Sequence, residues 1–190
     1  MRLFVAVVPP PAVLADLAAA LAPYRAGRNS HDLGWTSPED WHLTLAFLGE
    51  VPAATVDRLG PRLEQTGARH RPFPLALAGA GAFPSAGDAR VLWCGLAGDR
   101  RALDDLATAV AAAATQAGAT RPDAGRPFSP HLTLAYRGRV PADVRGLVAA
   151  LSPYEGPPWP VDGLELIESR PRRRPRYTTI GRWPLDGDTL

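Results

Sequence analysis

None of the chain's 21 basic residues is a lysine; every one is arginine. A lysine Schiff base and the phosphate-binding lysine of a P-loop are therefore excluded. There is one cysteine, Cys94, so no internal disulfide can form and no multi-cysteine zinc site can be assembled. It follows the apolar run Val91-Leu92-Trp93 and reads as a buried core thiol. No G-x-S-x-G sequence occurs, which leaves a serine nucleophile on a strained turn without a candidate. Long apolar runs are missing too. The opening stretch Met1 to Val8 halts at Pro9-Pro10-Pro11, too short for a signal sequence and far too short to span a bilayer. Residues 102–119 come closest to a span, but Asp104, Asp105 and Gln116 mark them as an amphipathic helix. The cytoplasm is the expected location, with no membrane partner and no obligate protein partner. Neither sign of charge dominates, with 19 acidic residues against 21 basic, so a nucleic-acid-coating tail is not indicated. The arginine-only usage, with abundant Ala, Gly and Pro, is as well explained by base composition as by function.

What is present is a sentence written twice. His42-Leu43-Thr44-Leu45-Ala46-Phe47 and His131-Leu132-Thr133-Leu134-Ala135-Tyr136 differ only in the closing aromatic. Gly49, Val51, Pro52 and Ala53 then recur at the same spacing as Gly138, Val140, Pro141 and Ala142. Nine of twelve positions agree across 89 residues, and no short-period repeat connects them. The doubled segment takes two of the four histidines. Apolar and polar residues alternate with the period of a strand, so His42 and Thr44 share one face while Leu43 and Leu45 share the other. His131 and Thr133 are paired in the same way. Two equivalent half-units related by a pseudo-twofold axis would bring these polar faces together across a cleft.

The length suits a single domain with two lobes, spanning residues 1–190, and no Pro/Gly/Ser linker divides it. Strands are predicted at 2–8, 41–48, 75–83, 90–96, 129–136, 161–168 and 177–183. Helices are predicted at 12–24, at 53–65 with an interruption at Gly60-Pro61, at 99–117 and at 142–151. Interleaved strands and helices in two halves of roughly ninety residues give an α+β class.

Two histidines and two threonines facing one another fit few chemistries. A metal site wants three or four ligands, and H-x-T replaces the second ligand of an H-x-H with a poor one; no metal or other cofactor is expected. Concerted acid–base catalysis remains, one imidazole deprotonating a nucleophile while the other protonates a leaving group. With hydroxyls for the non-bridging oxygens and arginine for charge, displacement at phosphorus is the natural reaction. A 2',3'-cyclic phosphodiester suits it, because ring strain lowers the need for a metal. Arg170, Arg172, Arg173, Arg174 and Arg176 form a basic run that reads either as an RNA-backbone contact or as a solvated loop. His31 and His70 read as surface residues. Trp35 and Phe128 read as core residues first and base-stacking platforms second.

The two H-x-T-x motifs resemble those of the 2H phosphoesterases. Among these the chain is most similar to the bacterial RNA 2',3'-cyclic phosphodiesterases, long named 2'-5' RNA ligases. The resemblance extends to Met1-Arg2-Leu3-Phe4-Val5-Ala6-Val7, to Arg126-Pro127-Phe128-Ser129-Pro130 before the second motif, and to the closing strand from Arg176-Tyr177 to Trp183-Pro184-Leu185. It implies two pseudo-twofold-related lobes with antiparallel sheets flanking a central cleft and helices outside. It further implies metal-independent hydrolysis of RNA ends bearing a 2',3'-cyclic phosphate to 2'-phosphomonoesters, with His42 as proton donor and His131 as proton acceptor. The near-symmetry of the repeats leaves those two roles open on sequence grounds alone. Thr44 and Thr133 would hold the phosphate, and Arg126, Arg137, Arg174 and Arg176 are candidate RNA or phosphate contacts. Relatives often carry arginine directly after HLTLA of the second motif. Here Tyr136 intervenes before Arg137, which turns that arginine to the other face of a strand. Alternative substrates are small cyclic nucleotide phosphates or 2'-5' linked oligonucleotides; a non-catalytic RNA-end binding module would not require both an acid and a base.

Overall fold

The structure is a computed structural model that describes residues 1–26, 33–137, 140–171 and 173–187. The chain runs β1 (Arg2–Val7), α1 (Pro11–Ala26), β2 (Gly34–Trp35), a 3-10 turn (Pro38–Asp40), β3 (Leu43–Glu50), α2 (Ala53–Gly67), β4 (Phe73–Phe83) and β5 (Val91–Gly98). It continues through α3 (Arg100–Ala117), β6 (Leu132–Tyr136), α4 (Arg145–Leu151), β7 (Trp159–Val161), β8 (Gly163–Ser169) and β9 (Tyr177–Pro184). The α+β class and the two-lobed antiparallel architecture are those expected.

The strands form one sheet in the order β7-β4-β5-β6-β3-β1-β8-β9, with β2 added alongside β6. The two halves, β7-β4-β5-β6 and β3-β1-β8-β9, meet only where the two motif strands touch. That contact is a single antiparallel pair, Leu43 opposite Leu132. Each half has the same local plan, in which a strand leads through a helix to its antiparallel neighbour: β1–α1–β3 in one lobe and β5–α3–β6 in the other. β8 and β9, from the far end of the sequence, complete the first lobe, and β4, which precedes β5, and the short β7 complete the second.

Alternation sorts the motif residues as a half-buried strand requires. Leu43, Leu45, Leu132 and Leu134 are all at most 4% exposed and join a core with Leu17 and Leu21 of α1, Leu59 and Leu63 of α2, and Leu103, Leu106 and Val110 of α3. The helices thus cover the leucine face. The opposite face of the first lobe carries a smaller cluster of Phe4, Ala6 and Ile167, with Phe47 and Tyr177 packed against it. Cys94 is buried in the main core, as expected, and burial pushes its thiol up to about 12.

Two local expectations are corrected. Helix α2 is not interrupted at Gly60-Pro61 but runs through Pro61 to Gly67. An internal proline costs about 3 kcal/mol, while burying a leucine fully contributes roughly 1.5–3 kcal/mol. Leu59 and Leu63, on either side of the proline, are both fully buried, so their packing holds the helix together. The single strand expected over 161–168 is two in different halves of the sheet, β7 at the edge beside β4 and β8 between β1 and β9. His70, expected at the surface, is partly exposed there, and its Nδ1 donates to the Thr66 carbonyl at 2.8 Å near the end of α2. His31 lies outside the described residues.

Candidate active site

The pairing of Leu43 with Leu132 determines the site. In an antiparallel ladder the residues on either side of a pair are also opposite each other. His42 therefore stands across from Thr133, and Thr44 across from His131. All four point away from the leucine core, so one face of the junction presents two imidazoles on one diagonal and two hydroxyls on the other. The pseudo-twofold axis relating the repeats passes through the leucine pair. The four residues predicted to act together are together, and all are only partly exposed.

Backbone geometry repeats the symmetry. His42 Nδ1 lies 2.7 Å from the Asp40 carbonyl and His131 Nδ1 lies 2.7 Å from the Ser129 carbonyl. A carbonyl can only accept, so each Nδ1 carries the proton and each Nε2 is left for chemistry. Rings fix the imidazole planes. His42 is held between Phe4, at 4.6 Å between centroids, and the edge-on ring of Tyr177 at 5.1 Å. His131 meets Phe83 edge-on at 5.0 Å and Trp93 at 6.3 Å. Neither Thr44 nor Thr133 uses its hydroxyl in a hydrogen bond among the described residues, so both donors are available to a ligand. No group of three or more His, Cys, Asp or Glu side chains with metal-binding geometry occurs among the described residues.

Desolvation lowers His42 to about 4, opposed by its bond to the Asp40 carbonyl and reinforced by the nearby charges of Arg176 and His131. His42 is therefore neutral at pH 7 in the ligand-free protein.

Each segment leading into a motif crosses over to run beside the other motif's strand. Residues 34–36 lie along β6, where Thr36 N donates to Leu134 O and Thr36 Oγ1 lies 2.9 and 2.8 Å from the carbonyls of Thr133 and Leu134. Thr36 Oγ1 also accepts from Trp41 Nε1 at 2.8 Å, tying the residue before His42 to the strand bearing Thr133. On the other side, the Asp123 carboxylate accepts from Phe47 N on β3. Two clefts result, one at each end of the four-residue cluster. One, of about 690 Å³, is lined by Thr44, His131, Arg121, Asp123, Arg126 and Phe128. The other, of about 400 Å³, is lined by Trp35, Asp40, Tyr136, Arg173, Arg174 and Arg176.

The candidate arginines separate accordingly. Arg126 lines the His131 cleft and Arg173, Arg174 and Arg176 line the other; Arg170 of the basic run is paired with Glu168, and Arg172 lies outside the described residues. Arg137 lines neither of these clefts and donates from Nε to the Val140 carbonyl at 2.9 Å. The one-residue shift at the end of β6 accounts for that placement. Phe128, expected first as a core residue, is 37% exposed on the cleft wall. Thr36, Phe4 and Tyr177 were not singled out from sequence; only the long-range pairing of the sheet brings them to the histidines.

The matching family is the 2'-5' RNA ligase superfamily, over residues 9–173. An RNA 2',3'-cyclic phosphodiesterase of Thermus thermophilus is 35% identical over 99% of this chain and 92% of its own length. One from Geobacillus stearothermophilus is 34% identical over 80% of this chain; the match spans about half (48%) of that relative. A solved Thermus thermophilus structure superposes with a TM-score of 0.77 at 29% identity, covering 100% of both chains. Escherichia coli LigT complexed with 3'-AMP gives 0.72 at 27% identity, over 97% of this chain and 96% of that one. The chain belongs to the 2'-5' RNA ligase superfamily.

Proposed function

We propose that this protein hydrolyses RNA ends bearing a 2',3'-cyclic phosphate to 2'-phosphomonoesters, with His42 and His131 as the acid–base pair. The single observation that carries the reading is the Leu43–Leu132 register, which sets two Nδ1-anchored imidazoles diagonally across two free threonine hydroxyls. The relatives' function as RNA 2',3'-cyclic phosphodiesterases agrees with it.

A cyclic phosphate over the leucine pair has a histidine on each side of phosphorus, as in-line displacement requires. His131 Nε2 takes a proton from water as the oxygen attacks phosphorus. His42 delivers a proton to the 3' oxygen as the P–O3' bond breaks, leaving the phosphate on the 2' oxygen. Thr44 and Thr133 donate to the non-bridging oxygens, where charge accumulates. A neutral His42 must be protonated before it can act as the acid, and the bound phosphodiester anion supplies the favourable charge that raises its affinity for a proton.

One observation favours a second reading with the roles exchanged: burial holds His42 neutral, as a base must be. A substrate with sulfur in place of the 3' oxygen separates the two, because thiolate leaves without protonation. Rescue of His42→Ala by this substrate, without rescue of His131→Ala, supports His42 as the acid; the converse exchanges the roles.

A further inference from the structure

The two clefts beside the histidines differ in charge, and the difference gives the substrate a direction. In the His131 cleft Arg121 Nε lies 3.3 Å from Asp123 Oδ1, leaving Arg126 as the one arginine lining it without an ion-pair partner among the described residues. The cleft on the His42 side is lined by three guanidiniums, Arg173, Arg174 and Arg176, against the single carboxylate of Asp40. None of those three has an ion-pair partner among the described residues. Arg170 N donates to Arg176 O at 2.7 Å, joining the end of β8 to the start of β9.

Two further features point to a ligand. The Nε of Arg176 and the Nε1 of Trp35 are buried donors without a hydrogen-bond partner among the described residues, and both residues line this cleft. Such donors are open to an acceptor from outside the protein; Arg121 Nε in the His131 cleft is another, so it is the charge that distinguishes the two clefts. The ring of Tyr136 is 44% exposed at the cleft mouth, with the Arg176 guanidinium 5.9 Å from its centroid. Arg176 also lies 5.2 Å from the Tyr177 ring, which packs on His42. The cleft therefore neighbours His42 through Tyr177 and through Asp40, whose carbonyl accepts from His42 Nδ1.

We propose that this cleft is a subsite for the nucleotide on the 5' side of the cyclic end, its phosphodiester held by Arg173, Arg174 and Arg176 and its base stacked on Tyr136. The proposal rests on the cyclic phosphodiesterase reading. If the 3' oxygen leaves toward His42, the ribose and the chain attached to it lie on that side, and water approaches from the His131 side. Cations and an exposed ring beside His42 then meet the next phosphate and base, the combination that binds single-stranded nucleic acid without base readout. The consequence is a preference for oligonucleotide ends over mononucleoside cyclic phosphates.

The test compares a trinucleotide ending in a 2',3'-cyclic phosphate with the corresponding mononucleoside 2',3'-cyclic phosphate carrying a free 5'-hydroxyl. The wild type is expected to favour the trinucleotide by at least about tenfold in kcat/KM, the scale of one charge-assisted contact. In Arg173→Gln/Arg174→Gln, and separately in Tyr136→Ala, that ratio falls toward one. Calorimetric binding of the trinucleotide 2'-phosphate product needs no turnover, and should weaken about tenfold in the double variant. Thermal unfolding confirms that each variant is folded. A wild-type ratio near one, or an unchanged ratio and product affinity in the folded variants, overturns the subsite. Failure of the wild type to turn over either substrate, with product affinity still arginine-dependent, overturns the hydrolase reading and leaves the subsite standing.

Discussion

At the scale of single residues, the two imidazoles differ less in their bonds than in their surroundings. Both donate Nδ1–H to the carbonyl two positions back, and burial drives His42 down to about 4. Its pKa is thus lower folded than unfolded, and the folded state binds fewer protons between the two values. Stability should therefore rise with pH from about 4 to 6.5, by about 3 kcal/mol at most. A thermal melt at pH 7 should lie above one at pH 4.5, and His42→Asn should flatten the difference; an unchanged slope would contradict the burial argument. In catalysis, alanine at His42 or His131 should each cost at least about a hundredfold in kcat, measured at saturating substrate on folded protein. Either variant at near wild-type rate would exclude the two-histidine mechanism. Thr133→Val keeps the shape and loses the donor, so it should cost about tenfold to a hundredfold; full activity would make that hydroxyl idle. These four residues were legible in the sequence because the repeat marks them and the strand period gives them a common face.

At the scale of elements, the site depends on contacts that no local pattern discloses. Thr36 has an unremarkable sequence context, between Trp35 and Ser37, yet its hydroxyl joins Trp41 to the carbonyls of Thr133 and Leu134. Thr36→Val would leave the indole N–H of Trp41, which is 2% exposed, without its acceptor. A buried unsatisfied donor costs about 1–3 kcal/mol, which for a chain of this size lowers Tm by roughly 2–4 °C per kcal/mol. The variant should also lower kcat more than it raises KM, because it loosens the junction between the motif strands. A loss of stability with kcat intact would limit Thr36 to a structural role. Gly81 supports the other histidine: a Cβ there would fall within the Trp93 ring, and Trp93 borders His131. The strands and helices around these contacts were read from their periodicity. What the period could not show was β2, two residues long, or the split of the closing segment into β7 and β8. Nor could it show that buried leucines carry α2 across Pro61, since propensity and packing oppose each other there.

At the scale of the whole molecule, the duplicated hexapeptide has a geometric purpose. An antiparallel pair has a local twofold axis, and placing the repeats astride it sets the two imidazoles at diagonal corners of one face. Sequence reading reached the two lobes and the cleft, but the register that centres the axis on Leu43 and Leu132 is a long-range fact. The departure at Tyr136-Arg137 shows the same limit: one residue of shift removes Arg137 from the clefts, while the distant Arg170–Arg176 hairpin brings cations to the site. No helix among the described residues is long and apolar enough to cross a membrane. The central claim is that two histidines, acting without a metal, open a 2',3'-cyclic phosphate. Phosphorus NMR of a short RNA bearing that end, incubated with the protein in EDTA, tests it most directly. The account predicts conversion of the cyclic phosphate signal to that of a 2'-phosphomonoester. An unchanged cyclic signal, restored turnover only on adding zinc or manganese, or a 3'-phosphate product would contradict it.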